Sequence, residues 1–249
     1  MRRAVTRVTR IYAPGVLAPG ASLALREAAA HHLSRVLRAE VGDRVIVFND
    51  GIEFPAAIAR IDKHTVTVRL EGGTPVDREN PIACELAQAI SSGERMDMTL
   101  QKAAELGVRA VQPLYSERSI VRLDAERTVK RVEHWREVMI GACEQCGRTV
   151  VPEVTGPQPV IDWLGALGSP TDNELRILMS PHAEQRLADL PPPQRVLLLA
   201  GPEGGFTDVE TDFAVRRGFI AVRLGPRVLR TETAALAALA AINARWGDF

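Results

Sequence analysis

The sequence is poor in lysine, in cysteine and in long apolar runs. Lysine occurs only at positions 63, 102 and 130, so arginine carries nearly all the positive charge. Arginine suits two-pronged phosphate contact and stacking on bases; genomic codon bias would produce the same skew. Three cysteines in 249 residues do not make a disulfide framework, which predicts a reducing, cytoplasmic setting. No apolar run approaches the roughly 20 residues of a membrane span. Arg2, Arg3, Arg7 and Arg10 crowd the N-terminal stretch, but no signal-peptide apolar core follows them. Formal net charge is zero, with 31 basic and 31 acidic side chains. That argues against loose, charge-driven binding to nucleic acid and leaves room for a local basic surface. No Ser/His/Asp triad, paired carboxylates for glycoside cleavage or metal-ligand spacing stands out, and no metal is expected.

Two linked stretches do stand out. Val196–Ala200 is an apolar strand-like run that leads into Gly201-Pro202-Glu203-Gly204-Gly205-Phe206. Leu224-Gly225-Pro226-Arg227-Val228-Leu229-Arg230 leads into Thr231-Glu232-Thr233-Ala234 and an alanine-rich run. Thr207 and Glu210 fit a capping box, so a helix should start near Asp208. Thr231 is placed to cap the alanine-rich helix. Both loops would then lie at the carboxyl ends of strands, where α/β sheets bind ligands. The first loop has no Gly-Lys-Ser/Thr and the wrong spacing for a dinucleotide fingerprint. One such loop alone reads as a tight turn; two, with Glu203, Arg230 and Glu232 around them, point to a site.

The rest of the chain divides at a polar stretch, 73–80, read as a linker. Before it, residues 1–72 suggest a helix over Glu27–Arg38 and strands at Arg44–Phe48, Glu53–Ile61 and His64–Leu70, with Asn49-Asp50-Gly51 as a hairpin turn. After it, from 81 to 249, strands and helices alternate, which predicts an α/β sheet rich in parallel pairs. Strands are expected at Ile82–Ile90, Arg109–Leu114, Thr149–Val154, Leu175–Ser180, Arg195–Ala200 and Phe219–Leu224. Helices are expected at Glu94–Leu106, Asp124–Cys146, Val160–Leu167, Ala183–Leu190, Asp208–Arg217 and Glu232–Arg245. The last is apolar on nearly every face, the pattern of a buried helix. Cys143 and Cys146 lie near a helix C-terminus, where the dipole does not favour a thiolate, and read as packing residues.

The Gly-Pro-Glu-Gly-Gly-Phe-Thr and Leu-Gly-Pro-Arg-Val-Leu-Arg-Thr-Glu-Thr-Ala runs resemble those of bacterial 16S ribosomal RNA uridine-N3 methyltransferases, members of the SPOUT trefoil-knot superfamily. Glu144-Gln145, Gly147-Arg148 and Pro152, Gln101–Gly107 and Glu117-Arg118-Ser119 extend the similarity over nearly the whole chain. It implies a PUA-like RNA-binding β-barrel domain followed by an α/β knot domain, a homodimer, and S-adenosylmethionine as cofactor. It also implies 16S ribosomal RNA in the small subunit as partner. The cofactor would meet Leu178, Met179 and Ser180; Ala200, Gly201, Pro202, Glu203, Gly204 and Gly205; Leu224 and Gly225; and Leu229, Thr231, Thr233 and Ala234. RNA contacts would fall to Arg10, His32, Arg38, Arg118, Gln145 and Arg148. Removing the uracil N3 proton calls for a fixed cation, assigned to Arg230, and an acceptor, assigned to Glu203 or Glu232. A non-catalytic ribosome-assembly protein, and a methyltransferase acting on another ribosomal or transfer RNA nucleotide, are the competing readings.

Overall fold

A computed structural model describes residues 8–63, 65–119 and 124–249; Arg2, Arg3, Arg7 and His64 lie outside them. The chain divides into two compact units. One contains the described residues of Met1–Glu79 together with Cys143–Val151, the other Asn80–Ala142 with Pro152–Phe249.

The first unit is a sheet with one helical segment. Its strands are β1 (Thr9–Tyr12), β2 (Ser22–Ala24), β3 (Arg44–Asn49), β4 (Ile52–Ile61), β5 (Val66–Leu70) and β6 (Thr74–Pro75). They run in the order β1-β3-β4-β5-β2, with β6 on β4. Among the described residues β1 and β2 do not pair, so the sheet is open and the expected closed barrel is not formed. Both edge strands are short, β1 of 4 residues and β2 of 3, and so offer little backbone for a closing ladder. The Asn49–Ile52 hairpin turns through Asp50 at φ 45° and Gly51 at φ 81°, the left-handed pair that a tight two-residue turn requires. Inward residues of alternating strands, Val45, Val47, Phe54, Ile58, Val66 and Val68, pack on Leu33 of the helical segment.

That segment was expected to be one helix over Glu27–Arg38. It is α1 (Glu27–His31) followed by a wide π turn, His32–Val36, in which the Leu37 N–H reaches back five residues to the His32 carbonyl at 3.0 Å. The Ser34 hydroxyl bonds the Ala30 carbonyl at 2.8 Å, competing with the regular ladder. Arg38 then ends the segment in the left-handed region, φ 51°.

The second unit is a parallel sheet flanked by helices, as the alternation of elements predicts. Strands β7 (Ala83–Ala89), β8 (Ala110–Tyr115), β9 (Glu153–Val154), β10 (Gln158–Pro159), β11 (Glu174–Met179), β12 (Arg195–Ala200) and β13 (Phe219–Val222) lie in the order β10-β8-β7-β12-β11-β13, with β9 on β8. All pairings in it are parallel. The central strands are near-continuous apolar runs, as strands covered on both faces must be. Helices α2 (Glu94–Glu105), α3 (Ala125–Cys146), α4 (Val160–Ala166), α5 (Asp208–Arg216) and α6 (Thr231–Trp246) complete it.

Two local expectations fail. Ala183–Leu190 holds only a single 3-10 turn, Leu187–Asp189. Asp189 accepts from the Arg186 N–H and guanidinium, Arg186 pairs with Arg223 as a parallel bridge, and Pro191 forces Leu190 into extended backbone. Thr231 does not cap α6. It is the first helical residue, and its hydroxyl donates to the Gly201 carbonyl at 2.5 Å. The outward side of α6 is also less covered than its composition suggests: Ala235, Ala238, Leu239 and Ile242 are buried, but Leu236, Ala237, Ala240 and Ala241 are half-buried.

Candidate active site

Parallel strands bring their C-terminal ends to one edge of the second sheet. β11 ends at Met179, β12 at Ala200 and β13 at Val222, with β11 between the other two. That edge therefore carries Leu178, Met179 and Ser180, the loop Gly201–Phe206, and the loop from Leu224 to Arg230. The sequence-predicted cofactor residues converge there, with Thr231, Thr233 and Ala234 opening α6.

The first loop is anchored on several sides. Glu203 accepts from Arg95 Nη1 at 2.7 Å and from the Ser92 N–H at 3.4 Å. Arg118 donates through Nη1 to the Gly204 carbonyl at 3.0 Å and the Phe206 carbonyl at 3.3 Å. The expected capping box is present: Thr207 and Glu210 bond reciprocally, and buried Glu210 also accepts from the Glu117 N–H at 2.8 Å. Burial works to raise the Glu203 carboxyl, but its own backbone N–H, Arg95 and the Ser92 N–H outweigh burial. They hold it below the ordinary carboxylate value. Gly204 has no left-handed φ; what limits it is Arg118, whose Cβ would lie 3.2 Å from an added Cβ. The positive φ belongs to Gly205, at 67°.

The second loop is the reverse. Leu224–Leu229 forms no backbone hydrogen bond with other described residues. Gly225 sits at φ 130° with no atom within 4 Å of where a Cβ would stand. Free backbone groups beside open space fit a ligand held chiefly by main chain. Arg230 is exposed, and among the described residues its guanidinium has no hydrogen bond or ion pair. It pairs with neither Glu203 nor Glu232. Glu232 lies in the first turn of α6, and its Oε2 is buried without a hydrogen-bond partner among the described residues. The described residues contain no group of three or more His, Cys, Asp or Glu able to hold a metal ion.

Of the residues assigned to RNA, His32, Arg38 and Gln145 are exposed in the first unit and Arg118 in the second. Arg10 and Arg148 are not. Arg10, 7% exposed, pairs with Glu53, donates to the Gly147 and Arg148 carbonyls at 3.0 Å and lies 4.6 Å over the Phe48 ring. Arg148 makes a two-pronged pair with Glu79. Cys143 is buried, and its thiol is pushed up by the hydrogen bond with Cys146 and by burial, which matches a packing role. Sequence reading missed Gln88, a fully buried amide at the C-terminal end of β7. Its one signal is a polar residue inside the apolar run Leu86-Ala87-Gln88-Ala89.

Comparison with known proteins finds relatives over nearly the whole chain. The RNA methyltransferase domain family matches residues 78–243, and the RNA methyltransferase PUA domain family matches 25–71. Ribosomal RNA small subunit methyltransferase E of Buchnera aphidicola is 34% identical over 97% of this chain and 98% of its own length. The Bacillus subtilis protein of that name is 31% identical over 86% of each chain. A Legionella pneumophila methyltransferase solved with bound cofactor SAM shares 43% identity at a TM-score of 0.92, covering 98% of this chain and 100% of that one. Ribosomal RNA small subunit methyltransferase E from Neisseria gonorrhoeae, bound to S-adenosyl methionine, shares 39% at 0.89, with the same coverage.

Proposed function

The chain belongs to the ribosomal RNA small subunit methyltransferase E family, and on that premise we propose that it methylates uridine N3 in 16S ribosomal RNA. S-adenosylmethionine, when bound, supplies an activated methyl group on a sulfonium. The protein's part is to hold the two reactants in line and to manage the N3 proton. The backbone of Gly201–Gly205 and Leu224–Leu229 holds the cofactor, with Leu178–Ser180 beside them.

The observation that carries the reading is the start of α6. Among the described residues, Arg230 presents an unpaired guanidinium and Glu232 a buried carboxylate oxygen without a hydrogen-bond partner, on either side of Thr231. A guanidinium beside the uracil carbonyls stabilises the anion that forms as the proton leaves. Glu232 is the better proton acceptor of the two candidates, because Arg95 already occupies Glu203 and stabilises its ionised form. Arg38, His32 and Gln145 of the first unit, and Arg118 of the second, face solvent and contact the RNA. The half-buried side of α6, Leu236, Ala237, Ala240 and Ala241, serves a homodimer contact, since small residues permit close helix packing. No helix of the described residues is long and apolar enough to cross a membrane, and the enzyme works in the cytoplasm, where its ribosomal substrate is assembled.

A non-catalytic assembly factor would need only the first unit and would have no use for the unpaired groups at α6. Nucleoside analysis of ribosomal RNA from a strain lacking the protein tests the proposal. Loss of 3-methyluridine, restored by the wild-type chain and not by Arg230→Leu, is expected; unchanged 3-methyluridine would refute it.

A further inference from the structure

Gln88 is fully buried at the end of β7, opposite Ala200 of β12. Its amide orientation is fixed by what surrounds it. Nε2 faces the Ala89 carbonyl at 3.0 Å and the Gly201 carbonyl at 3.5 Å, and an oxygen in its place would meet carbonyl lone pairs. Nε2 also lies 3.1 Å from the Thr231 hydroxyl. That hydroxyl has one proton, which occupies its 2.5 Å bond to the Gly201 carbonyl, so the Thr231 oxygen accepts from Gln88. Donation thus runs one way, from Gln88 to Thr231 to Gly201. Gln88 Oε1, by contrast, is buried with no hydrogen-bond partner among the described residues. An apolar side chain would fill the site without stranding an acceptor, so packing alone does not call for glutamine.

Gly201 opens the first loop, and Thr231 follows the second. Arg230 and Glu232 are its chain neighbours, so the backbone position of Thr231 sets where both are aimed. We infer that Gln88 and Thr231 are positioning residues. Their two hydrogen bonds fix the two glycine loops against each other and hold Arg230 and Glu232 in register with the bound nucleotide. This deepens the methyltransferase reading and rests on it. Thr231 acts here through its side chain, apart from any backbone contact it makes to cofactor.

The test uses full-length protein and small ribosomal subunits lacking the modification. Single-turnover methyl transfer is measured at saturating S-adenosylmethionine, beside cofactor affinity and melting temperature. Gln88→Met and Thr231→Val each preserve approximate shape; the first removes the bond from Gln88 to Thr231, and the second removes both bonds of the chain. Each is expected to slow transfer about 10- to 100-fold, the scale of small misplacements of reacting groups, with the melting temperature within a few degrees of wild type. Thr231→Ser, which keeps the hydroxyl, should recover most of the rate. The double variant should be no slower than the slower single variant, because either change breaks the same chain. Wild-type rates in both single variants would overturn the inference while leaving the methyltransferase reading intact. A loss that tracks melting temperature and is not recovered by Thr231→Ser would reduce the pair to a fold contact and also overturn it. Wild-type protein that transfers no methyl to the particles would overturn the reading and the inference together.

Discussion

The Glu203 carboxylate is bound to Arg95 at 2.7 Å and makes no pair with Arg230. One acidic residue of the glycine loop is therefore an anchor to the start of α2, while Arg230, beyond α5 and β13, has no partner among the described residues. Arg95 is 43% exposed and Glu203 27%, so solvent screens the pair and its contribution to stability is about 0.2–1 kcal/mol. Glu203→Gln should lower the melting temperature by at most about 2–4 °C. The carboxyl is held below its ordinary value in the folded protein. Its stabilising contribution is thus present above the unfolded carboxylate value and is lost as pH falls through the lowered folded one. If Glu203 is an anchor and not the proton acceptor, Glu203→Gln leaves the acid limb of the pH–rate profile in place and Glu232→Gln removes it. Rate profiles of the two variants check this.

Arg230→Leu should abolish transfer while leaving cofactor affinity within a few-fold. Loss of one fixed donor to a developing anion costs roughly 2.7–4 kcal/mol, or about 100–1,000-fold in rate. Because the guanidinium has no partner among the described residues, the melting temperature should not move. Arg230→Lys should recover only part of the rate, since an ammonium lacks the planar fork. Single-turnover rates beside calorimetric affinity decide it; near-normal turnover in Arg230→Leu removes the residue from the mechanism.

The two loops should respond differently to a side chain. Gly225 at φ 130° cannot take one without strain of about 1–3 kcal/mol, although space is open around it. Gly204→Val meets space limits instead, against Arg118 Cβ at 3.2 Å. Gly225→Ala should therefore weaken cofactor binding and stability together. Gly204→Val should weaken cofactor binding by displacing Arg118 and loosening the loop. Arg118→Gly, which removes that Cβ together with the anchor on the Gly204 and Phe206 carbonyls, should weaken cofactor binding by itself and leave little further loss for Gly204→Val to cause; a titration of cofactor into the two single variants and the double variant shows whether it does.

The second unit was legible because its signals are local and strong. Val196–Ala200 is an uninterrupted apolar run between a proline-rich stretch and a glycine, and the expected strand limits, Arg195–Ala200, agree with the structure. The Thr207/Glu210 box and the Asn49–Gly51 turn were legible for the same reason: each is decided within four residues. What failed depends on distant partners. Thr231 has the residue type of a helix cap, but a carbonyl 30 residues away takes its proton. Arg186 leaves the expected helix for a bridge to Arg223. The closed barrel failed because pairing between edge strands is not encoded in either strand alone. Around the site, the placement of both glycine loops at the carboxyl ends of strands was readable, whereas no local pattern could show that Glu203 is occupied and that Arg230, among the described residues, is not.

The arginines assigned to RNA separate by burial, and that gives the last prediction. Arg10 is buried, paired with Glu53 and bonded to two carbonyls, and its Phe48 contact is also internal. Removing it takes one donor from the Arg148 carbonyl and one from the Gly147 carbonyl, which still accepts from Arg78, and weakens the charge balance at Glu53, which keeps Arg78 at 2.9 Å. Breaking a buried pair from one side costs about 3–5 kcal/mol, and the second cation places Arg10→Met at or below the lower end. Its melting temperature should fall by several degrees, and RNA binding should fall only as far as unfolding explains. Arg38 is the opposite case: exposed, and left-handed at φ 51°. Arg38→Gly removes a cation and relieves the backbone at once. Stability should hold or rise while affinity for small-subunit RNA drops at every sequence, and the slope of log affinity against log salt should shrink by about 1. Denaturant melts and RNA titrations at three salt concentrations compare the two variants directly. A stable Arg10→Met protein with specifically lost RNA binding would mean that Arg10 leaves Glu53 for phosphate when RNA arrives.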